Sequence, residues 1–399
     1  MIQALLVDLD DTLLENDLGK FIPAYFDLLA GELATFGPKD QILGALLAGT
    51  KAMLGNEDPE RTLAQVFYAS FESATGADPL KVAVVLDHFY RETYRQLATI
   101  TRRKDGASDF LRAAFSQGLE VAVATNPLMI RPAIEHRLRW ADAPSDEFGY
   151  ALITDVETLH FAKPRPAYFA EALAYLGRLP SEAAMVGNDP NEDLEPAASL
   201  GMPTFHVTDS PIDGRPSGGL ADASRWLAAQ AQVEPPQVIQ PAALIARFEG
   251  QLAAMLTKLR LVGEDGLRHP LASGGLTPLQ VACHLRDVDR EVNLPRLRVF
   301  LEKDDPFFSS VNTDNWIAER DYIHEESTAA VQGFIAARKA VTAALRDLSA
   351  AQWQRRARHS LFGPITLIDW IAVLAEHDLR HVAQVIAPLG SSLLAADSA

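Results

Sequence analysis

Cysteine is nearly absent from this 399-residue chain: Cys283 stands alone, which excludes an intrachain disulfide framework and suits a reducing compartment. Basic residues are in deficit, 36 Lys and Arg against 53 Asp and Glu, and the formal charge of −17 would repel a phosphate backbone or an anionic membrane surface. Neither nucleic acid nor membrane is therefore expected as a partner. No stretch approaches the ~20 uninterrupted apolar residues of a membrane span, and no basic segment precedes the first apolar run. The cytoplasm is the expected location. At 48% apolar and 22% charged residues the composition is that of an ordinary folded protein, and the length predicts two or three domains.

What the chain does contain is patterned. Residues 2–9 form a short apolar run that stops where the polar residues begin, as a strand buried on both faces of a parallel sheet does. From Leu18 to Leu97 the spacing turns helical, as in Phe21, Tyr25, Leu28, Leu29 and Leu33. Breakers at Gly37-Pro38, Gly55 to Pro59 and Gly76 to Pro79 divide this stretch into three or four helices. Strands over 119–125, 150–154, 183–187 and 204–207 then alternate with helices over 166–176 and 193–200. That order predicts an α/β fold with a doubly wound parallel sheet, whose ligands sit beyond the carboxyl ends of the strands.

A helix over 221–231 precedes the proline-rich stretch 232–241, expected to be a semi-rigid linker. Beyond it no strand is expected. Four helical segments, 242–259, 278–301, 329–348 and 366–387, predict an all-α four-helix bundle. The expected domains are a Rossmann-like core from residues 1–15 and 101–231, a helical insert over 16–100, the linker over 232–241, and the bundle over 242–399.

The first candidate site begins at "LLVDLDDTLL". Asp8 and Asp10, two residues apart where a strand ends, point to the same side at the carboxyl edge of the sheet. Two carboxylates so close do not both ionise comfortably without a cation between them. Other element ends supply the rest of a phosphoryl-transfer site. Thr125 in "VAVATN" offers a hydroxyl and the following backbone amides, Lys163 in "FAKPRP" an ammonium, and Asp189 and Asp193 in "MVGNDPNED" oxygen ligands suited to Mg²⁺. Asp11 is expected to be a turn residue.

These four stretches, in this order, resemble the haloacid dehalogenase superfamily over about residues 1–230. The resemblance implies that Asp8 is the nucleophile and forms an aspartyl-phosphate. It makes Asp10 the acid and base as well as a Mg²⁺ ligand through its carbonyl, and Thr125 and the Asn126 amide the holders of the phosphoryl oxygens. Lys163 would balance charge. Many members carry Gly-Asp where this chain has Gly187-Asn188, so the fourth-motif ligand could be Asp189 or Asp193. Asp189 is preferred, with Asp193 behind it. Asp10 favours a phosphatase over a dehalogenase, since a departing alkoxide needs a proton and a halide does not. The insert occupies the place of the family's helical cap, which suits small phosphorylated metabolites, and Asn16, Lys20 and Tyr25 are its residues nearest the site in sequence.

The second candidate site lies in the bundle. His377 and His381, four apart, share one helix face, and His284 follows Val281 on the apolar side of another helix. Meeting in a bundle core, the three would form an open nitrogen site for Zn²⁺, Ni²⁺ or Fe²⁺. "LTPLQVACHLRDVDRE", "DNWIAERDY" and "LFGPITLIDWIAVLAEHDLRHVAQV" resemble the DinB-like superfamily over about residues 240–390, which implies that His284, His377 and His381 bind a divalent metal. The leading expectation is a Mg²⁺-dependent phosphatase of a small-molecule phosphate monoester fused to this metal-binding bundle; the alternatives place the principal activity in the bundle, as a metal- and thiol-dependent transferase, or make it a non-catalytic module for homodimerisation. Trp316, Trp370 and Cys283 are expected to serve packing, and His324 and His359 to face solvent.

Overall fold

The computed structural model describes residues 1–210, 212–230, 239–271 and 275–386. Most of the expected linker and the end of the expected bundle lie outside these residues. The chain divides into two compact units, Met1–Ala172 with Pro180–Pro236, and Leu173–Leu179 with Gln237–Ala399.

In the first unit β1 (Ala4–Val7) is fully buried along its length and is followed by one helical turn. The chain then runs through β2 (Leu14–Asn16) into the helical insert. The insert comprises α1 (Leu18–Glu32), α2 (Lys39–Leu54), α3 (Leu63–Thr75) and α4 (Pro79–Arg91). Local chemistry marks these starts: Thr62 and Gln65 form a capping box on α3, and Asp78 caps α4 with Pro79 in its first turn. The insert carries its own apolar cluster, with Phe21, Leu33, Ile42, Leu63, Phe89 and Tyr94 essentially without exposure. It returns through β3 (Thr101–Arg103), antiparallel to β2.

The alternating elements follow as α5 (Ala107–Ser116), β4 (Glu120–Val123), α6 (Arg131–Trp140), β5 (Leu152–Ile153), α7 (Pro166–Leu176) and β6 (Ala183–Gly187). Next come a wide helical turn over Pro190–Leu194, α8 (Glu195–Ser199), β7 (Thr204–Val207), β8 (Ser217–Gly218) and α9 (Leu220–Gln230). All pairings in the sheet are parallel, in the order β5-β4-β1-β6-β7-β8. The first strand therefore sits at the centre, with the strands that carry the second and fourth motifs on either side. Their carboxyl ends meet at one edge.

The second unit holds α10 (Pro241–Gly266), α11 (Pro278–Val288), a wide turn over Asp289–Asn293, and α12 (Leu294–Glu302). After β9 (Phe307–Phe308) come α13 (Asn315–Glu319), α14 (Ser327–Arg346), α15 (Ala350–Trp353), β10 (Arg356–His359), β11 (Gly363–Thr366) and α16 (Leu367–Ile386). The long helices pack as α10 on α14 and α16, and α11 on α14 and α16. Thr277 and Gln280 form the capping box that starts α11, behind Pro278.

One expectation needs correction here: the helical unit also contains a three-stranded sheet in the order β11-β10-β9. Its strands are two to four residues long, and in β10 the inward positions are Ala357 and His359 between outward arginines. An inward histidine disguises the alternation that would have marked the strand. His359 is correspondingly buried rather than solvated, its ring centroid 4.8 Å from that of Phe362 and 5.4 Å from that of Trp370. No described helix is long and apolar enough to cross a membrane.

Candidate functional site

Asp8 follows the last residue of β1, and its amide donates to the Val186 carbonyl of β6 at 2.9 Å, so the ladder itself fixes where its carboxylate points. Asp8 Oδ1 accepts from Lys163 Nζ at 2.8 Å and Oδ2 accepts from the Thr12 hydroxyl at 3.0 Å. Lys163 also donates to Asp193 Oδ1 at 2.5 Å, so one buried ammonium serves two buried carboxylates. Burial, and next the neighbouring Asp193, push the Asp8 carboxyl up to about 7 against the opposing pull of Lys163. Burial alone would lower Lys163, but Asp193 and Asp8 outweigh it and hold the ammonium charged. The pocket is short of positive charge.

Asp10 lies in the turn after β1, where Leu13 and Leu14 donate back to the Leu9 carbonyl and Asp11 takes a left-handed backbone with φ of 58°. The turn carries the Asp10 side chain away from Lys163. Its Oδ1 accepts from Asn16 Nδ2 at 3.1 Å, and its Oδ2 is paired with the buried guanidinium of Arg137 on α6. Asp8 and Asp10 thus sit in different electrostatic surroundings two residues apart, as separate nucleophile and acid-base roles require. Asp11 is the turn residue expected, its carboxylate accepting from the Asn16 amide at 2.9 Å.

The fourth stretch is arranged differently from the expectation. Asp189, the preferred ligand, caps the following helical turn, its Oδ1 accepting from the amides of Asn191 at 2.7 Å and Glu192 at 3.0 Å. Asp193, one turn further on, returns to face the strand end and binds Lys163. Its approach is so close that a Cβ on Gly187 would lie 2.3 Å from Asp193 Oδ2. The residue that reaches Asp8 is Asn188. Its amide lies 3.2 Å from Asp8 Oδ2 and 3.0 Å from the Asp10 carbonyl oxygen, within 3.1 Å of the Thr12 hydroxyl.

That geometry provides a test of fit for Mg²⁺. With the Asn188 oxygen turned inward, it would lie 3.2 Å from Asp8 Oδ2 and 3.0 Å from the Asp10 main-chain oxygen. This is the spacing of adjacent corners of an octahedron with metal–oxygen bonds of about 2.1 Å. The donor set is all oxygen and fits a hard cation. Around it Asn16 Oδ1, Asn126 Oδ1 and Arg137 Nε are buried without a hydrogen-bond partner, and orphaned polar groups of this kind cluster where a site receives a polar ligand. Thr125 closes the edge: its carbonyl accepts from Thr154 Oγ1 at 2.8 Å and from the Tyr168 hydroxyl at 2.9 Å.

In the bundle, His377 and His381 rise from α16 toward His284 of α11, with ring centroids 4.6 Å apart for His377 and His381, 4.6 Å for His284 and His381, and 5.6 Å for His284 and His377. His377 Nδ1 lies 3.2 Å from Asp378 Oδ1, and His381 Nδ1 lies 3.1 Å from Gln384 Oε1. Both partners can accept, an arrangement in which protons on both Nδ1 atoms leave the Nε2 atoms free to act as ligands. The two Nε2 atoms, 3.2 Å apart, then face each other as lone pairs. His284 is fully buried with neither ring nitrogen hydrogen-bonded. Burial, then His381 and His377, hold His284 down at about 4, so it is a neutral imidazole ready to act as a ligand.

Behind the histidines, Asp378 is paired with Arg338, which donates through Nε to Asp289 at 2.8 Å, all three groups being buried. Burial would raise Asp378, but Arg338 and the His377 contact outweigh it and hold the carboxylate at about 2. The network fixes the His377 ring, as carboxylates behind metal-binding histidines do. Cys283 packs in the core as expected, burial pushing its thiol up to about 12. Trp370 is likewise buried, and the exposed His324 faces solvent.

Comparison with known proteins then decides the family: residues 2–201, half of the chain, match the haloacid dehalogenase-like hydrolases. The chain is a haloacid dehalogenase-like hydrolase. It is 30% identical over 226 residues to the phosphoserine phosphatase of Thermus thermophilus, a match covering 50% of this chain and 85% of that protein. Residues 247–385 of the hydrolase match the DinB superfamily. Among solved structures, the four-helix-bundle protein YfiT from Bacillus subtilis aligns with 40% of this chain and 93% of its own at 21% identity and a TM-score of 0.36. An HAD phosphatase from Thermococcus onnurineus aligns with 57% and 98% at 20% identity and a TM-score of 0.36.

Of the expected site residues of this hydrolase, Asp8, Lys163 and Asp193 are joined by direct contacts, with Thr125 at the neighbouring strand end. Asp189 is turned to capping. Sequence reasoning missed Asn188, Thr12 and Arg137. Asn188 had a signal, since it directly follows the glycine that ends β6, but an uncharged amide beside two aspartates is the weaker oxygen donor on paper. Arg137 had none, because its helix position reads as an ordinary polar one.

Proposed function

We propose that the protein hydrolyses the phosphate monoester of a small metabolite through an aspartyl-phosphate on Asp8. The observation that carries this reading is the sharing of Lys163 by Asp8 and Asp193, beside the Asn188 side-chain amide that meets both the Asp8 carboxylate and the Asp10 main-chain oxygen. Oxygens of Asp8, the Asp10 main chain and Asn188 would hold Mg²⁺, which would offset charge as the anionic phosphoryl group approaches a carboxylate. Asp8 attacks phosphorus, and Asp10, on its own turn and steadied by Arg137 and Asn16, gives a proton to the departing alkoxide and later takes one from water. Lys163 balances charge on the transferring group, while Thr125 and the Asn126 amide hold its oxygens. The helical insert is the lid that excludes water and selects the substrate.

A phosphatase screen over a metabolite panel, with and without Mg²⁺, tests this. Mg²⁺-dependent phosphate release that disappears in Asp8→Asn is expected; release indifferent to both contradicts the reading.

For the second unit, the facing lone pairs of His377 and His381 and the unpartnered His284 favour a bound divalent transition metal. Metal analysis of the purified full chain, with His377→Ala as comparison, tests that reading: retention of stoichiometric metal in the variant would contradict it.

A further inference from the structure

An acidic residue stands beside the three histidines. Asp314 offers a carboxylate oxygen that, with one nitrogen from each of His284, His377 and His381, forms a group of four atoms all within 4.8 Å of one another. Asp314 Oδ1 lies 3.9 Å from His381 Nε2, too far for a hydrogen bond and close enough for both to bind one ion. The side chain is 74% exposed, so its position is not forced by packing.

A second feature points the same way. Asp314 directly precedes α13 with a helical backbone (φ −64°, ψ −31°), so its carboxylate is not set to accept from the amides of the first helical turn. It makes no such bond. The helix start is left without its side-chain cap, and the carboxylate is within reach of the histidines instead. Those histidines are prepared for a cation from behind: His377 by Asp378 and His381 by Gln384, with His284 buried and unpartnered.

We propose that Asp314 is the fourth protein donor of the bundle's metal site, completing a set of three imidazole nitrogens and one carboxylate oxygen. The proposal rests on the reading that this cluster binds a divalent transition metal. Such a set suits four-coordinate Zn²⁺, and it changes the character of the site. Three histidines alone leave a position for water or substrate, whereas four protein donors close the tetrahedron. The exposed carboxylate of Asp314 is then the arm that an incoming ligand would displace, because His284 is fully buried and His377 is held by the buried Asp378, whereas Asp314 is 74% exposed.

The test uses the full-length protein stripped of metal and titrated with Zn²⁺ against a chromophoric chelator, and with Co²⁺ to read the visible spectrum. The variants are Asp314→Ala, Asp314→Asn and His377→Ala. Wild type is expected to bind one equivalent in the bundle. Asp314→Ala should weaken Zn²⁺ binding at least about 10-fold, since losing even an outer partner of a ligand has effects of that order. It should also shift the Co²⁺ bands as water replaces the carboxylate, with Asp314→Asn between the two and His377→Ala losing the site.

If His377→Ala loses the metal while Asp314→Ala keeps both wild-type affinity and spectrum, the histidine site stands and the role given to Asp314 is overturned. If wild type and His377→Ala bind alike, the underlying metal reading fails and Asp314 falls with it. Because Asp314 is exposed, its variants fold, and an unchanged unfolding midpoint in the metal-free state confirms that they have.

Discussion

Asn188 reaches Asp8: its side-chain amide lies 3.2 Å from Asp8 Oδ2, while Asp189 beside it caps a helical turn. The two neighbours therefore separate by measurement. Asn188→Ala should raise the Mg²⁺ concentration needed for half-maximal activity by about 10-fold or more. Asp189→Ala should leave that requirement alone and lower stability by about 0.5–2 kcal/mol through loss of the cap. The opposite pattern would make Asp189 the ligand.

Gly187 is required by Asp193. A methyl group at 187 would lie 2.3 Å from Asp193 Oδ2 and 2.6 Å from its Cγ, so Gly187→Ala forces Asp193 off Lys163. Overpacking of this kind costs about 1–3 kcal/mol. Thermal unfolding and phosphate release should fall together, and a variant with wild-type values for both would show that Asp193 has room to move.

Asp10 is separated from Asp8 by its pairing with Arg137 and Asn16. If it protonates the leaving group, Asp10→Asn should slow hydrolysis of alkyl phosphates by about 10²–10⁴-fold. It should slow p-nitrophenyl phosphate far less, because nitrophenolate leaves without a proton. Equal losses on both substrates would argue that Asp10 does not act by protonating the leaving group.

In the bundle, burial and the neighbouring His381 and His377 hold His284 at about 4, below its ordinary 6.5. On acidification the unfolded chain takes the proton first, so stability is full above about pH 6.5 and falls as the pH approaches 4. The loss is on the order of 3 kcal/mol. In chelator, the denaturation midpoint should drop between pH 7.5 and pH 5, and His284→Gln should flatten that drop. Parallel profiles for wild type and variant would mean that His284 does not set the dependence.

The sequence carried the sheet well because each strand is short, apolar and bounded by polar residues: β6 and β7 appear where the pattern placed them. Asp8 and Lys163 were legible for the same reason, standing where elements end. What stayed hidden depends on contacts far apart in sequence. Arg137 occupies an ordinary polar helix position until α6 turns it toward Asp10, and Asp314 lies far in sequence from the histidines of two other helices that come within reach of it. The small sheet of the second unit was hidden by a buried histidine at an inward position. Choosing between Asp189 and Asp193 required knowing which of them the helical turn faces back toward the strand.

The central claim is that Asp8 itself takes the phosphoryl group. Quenching the enzyme during turnover of a radiolabelled phosphate ester in Mg²⁺, and mapping the label by peptide mass spectrometry, tests it most directly. The account predicts label on the peptide carrying Asp8 in wild type and none in Asp8→Asn. Rapid phosphate release with no label ever detectable on Asp8, or equal release from Asp8→Asn, would contradict it.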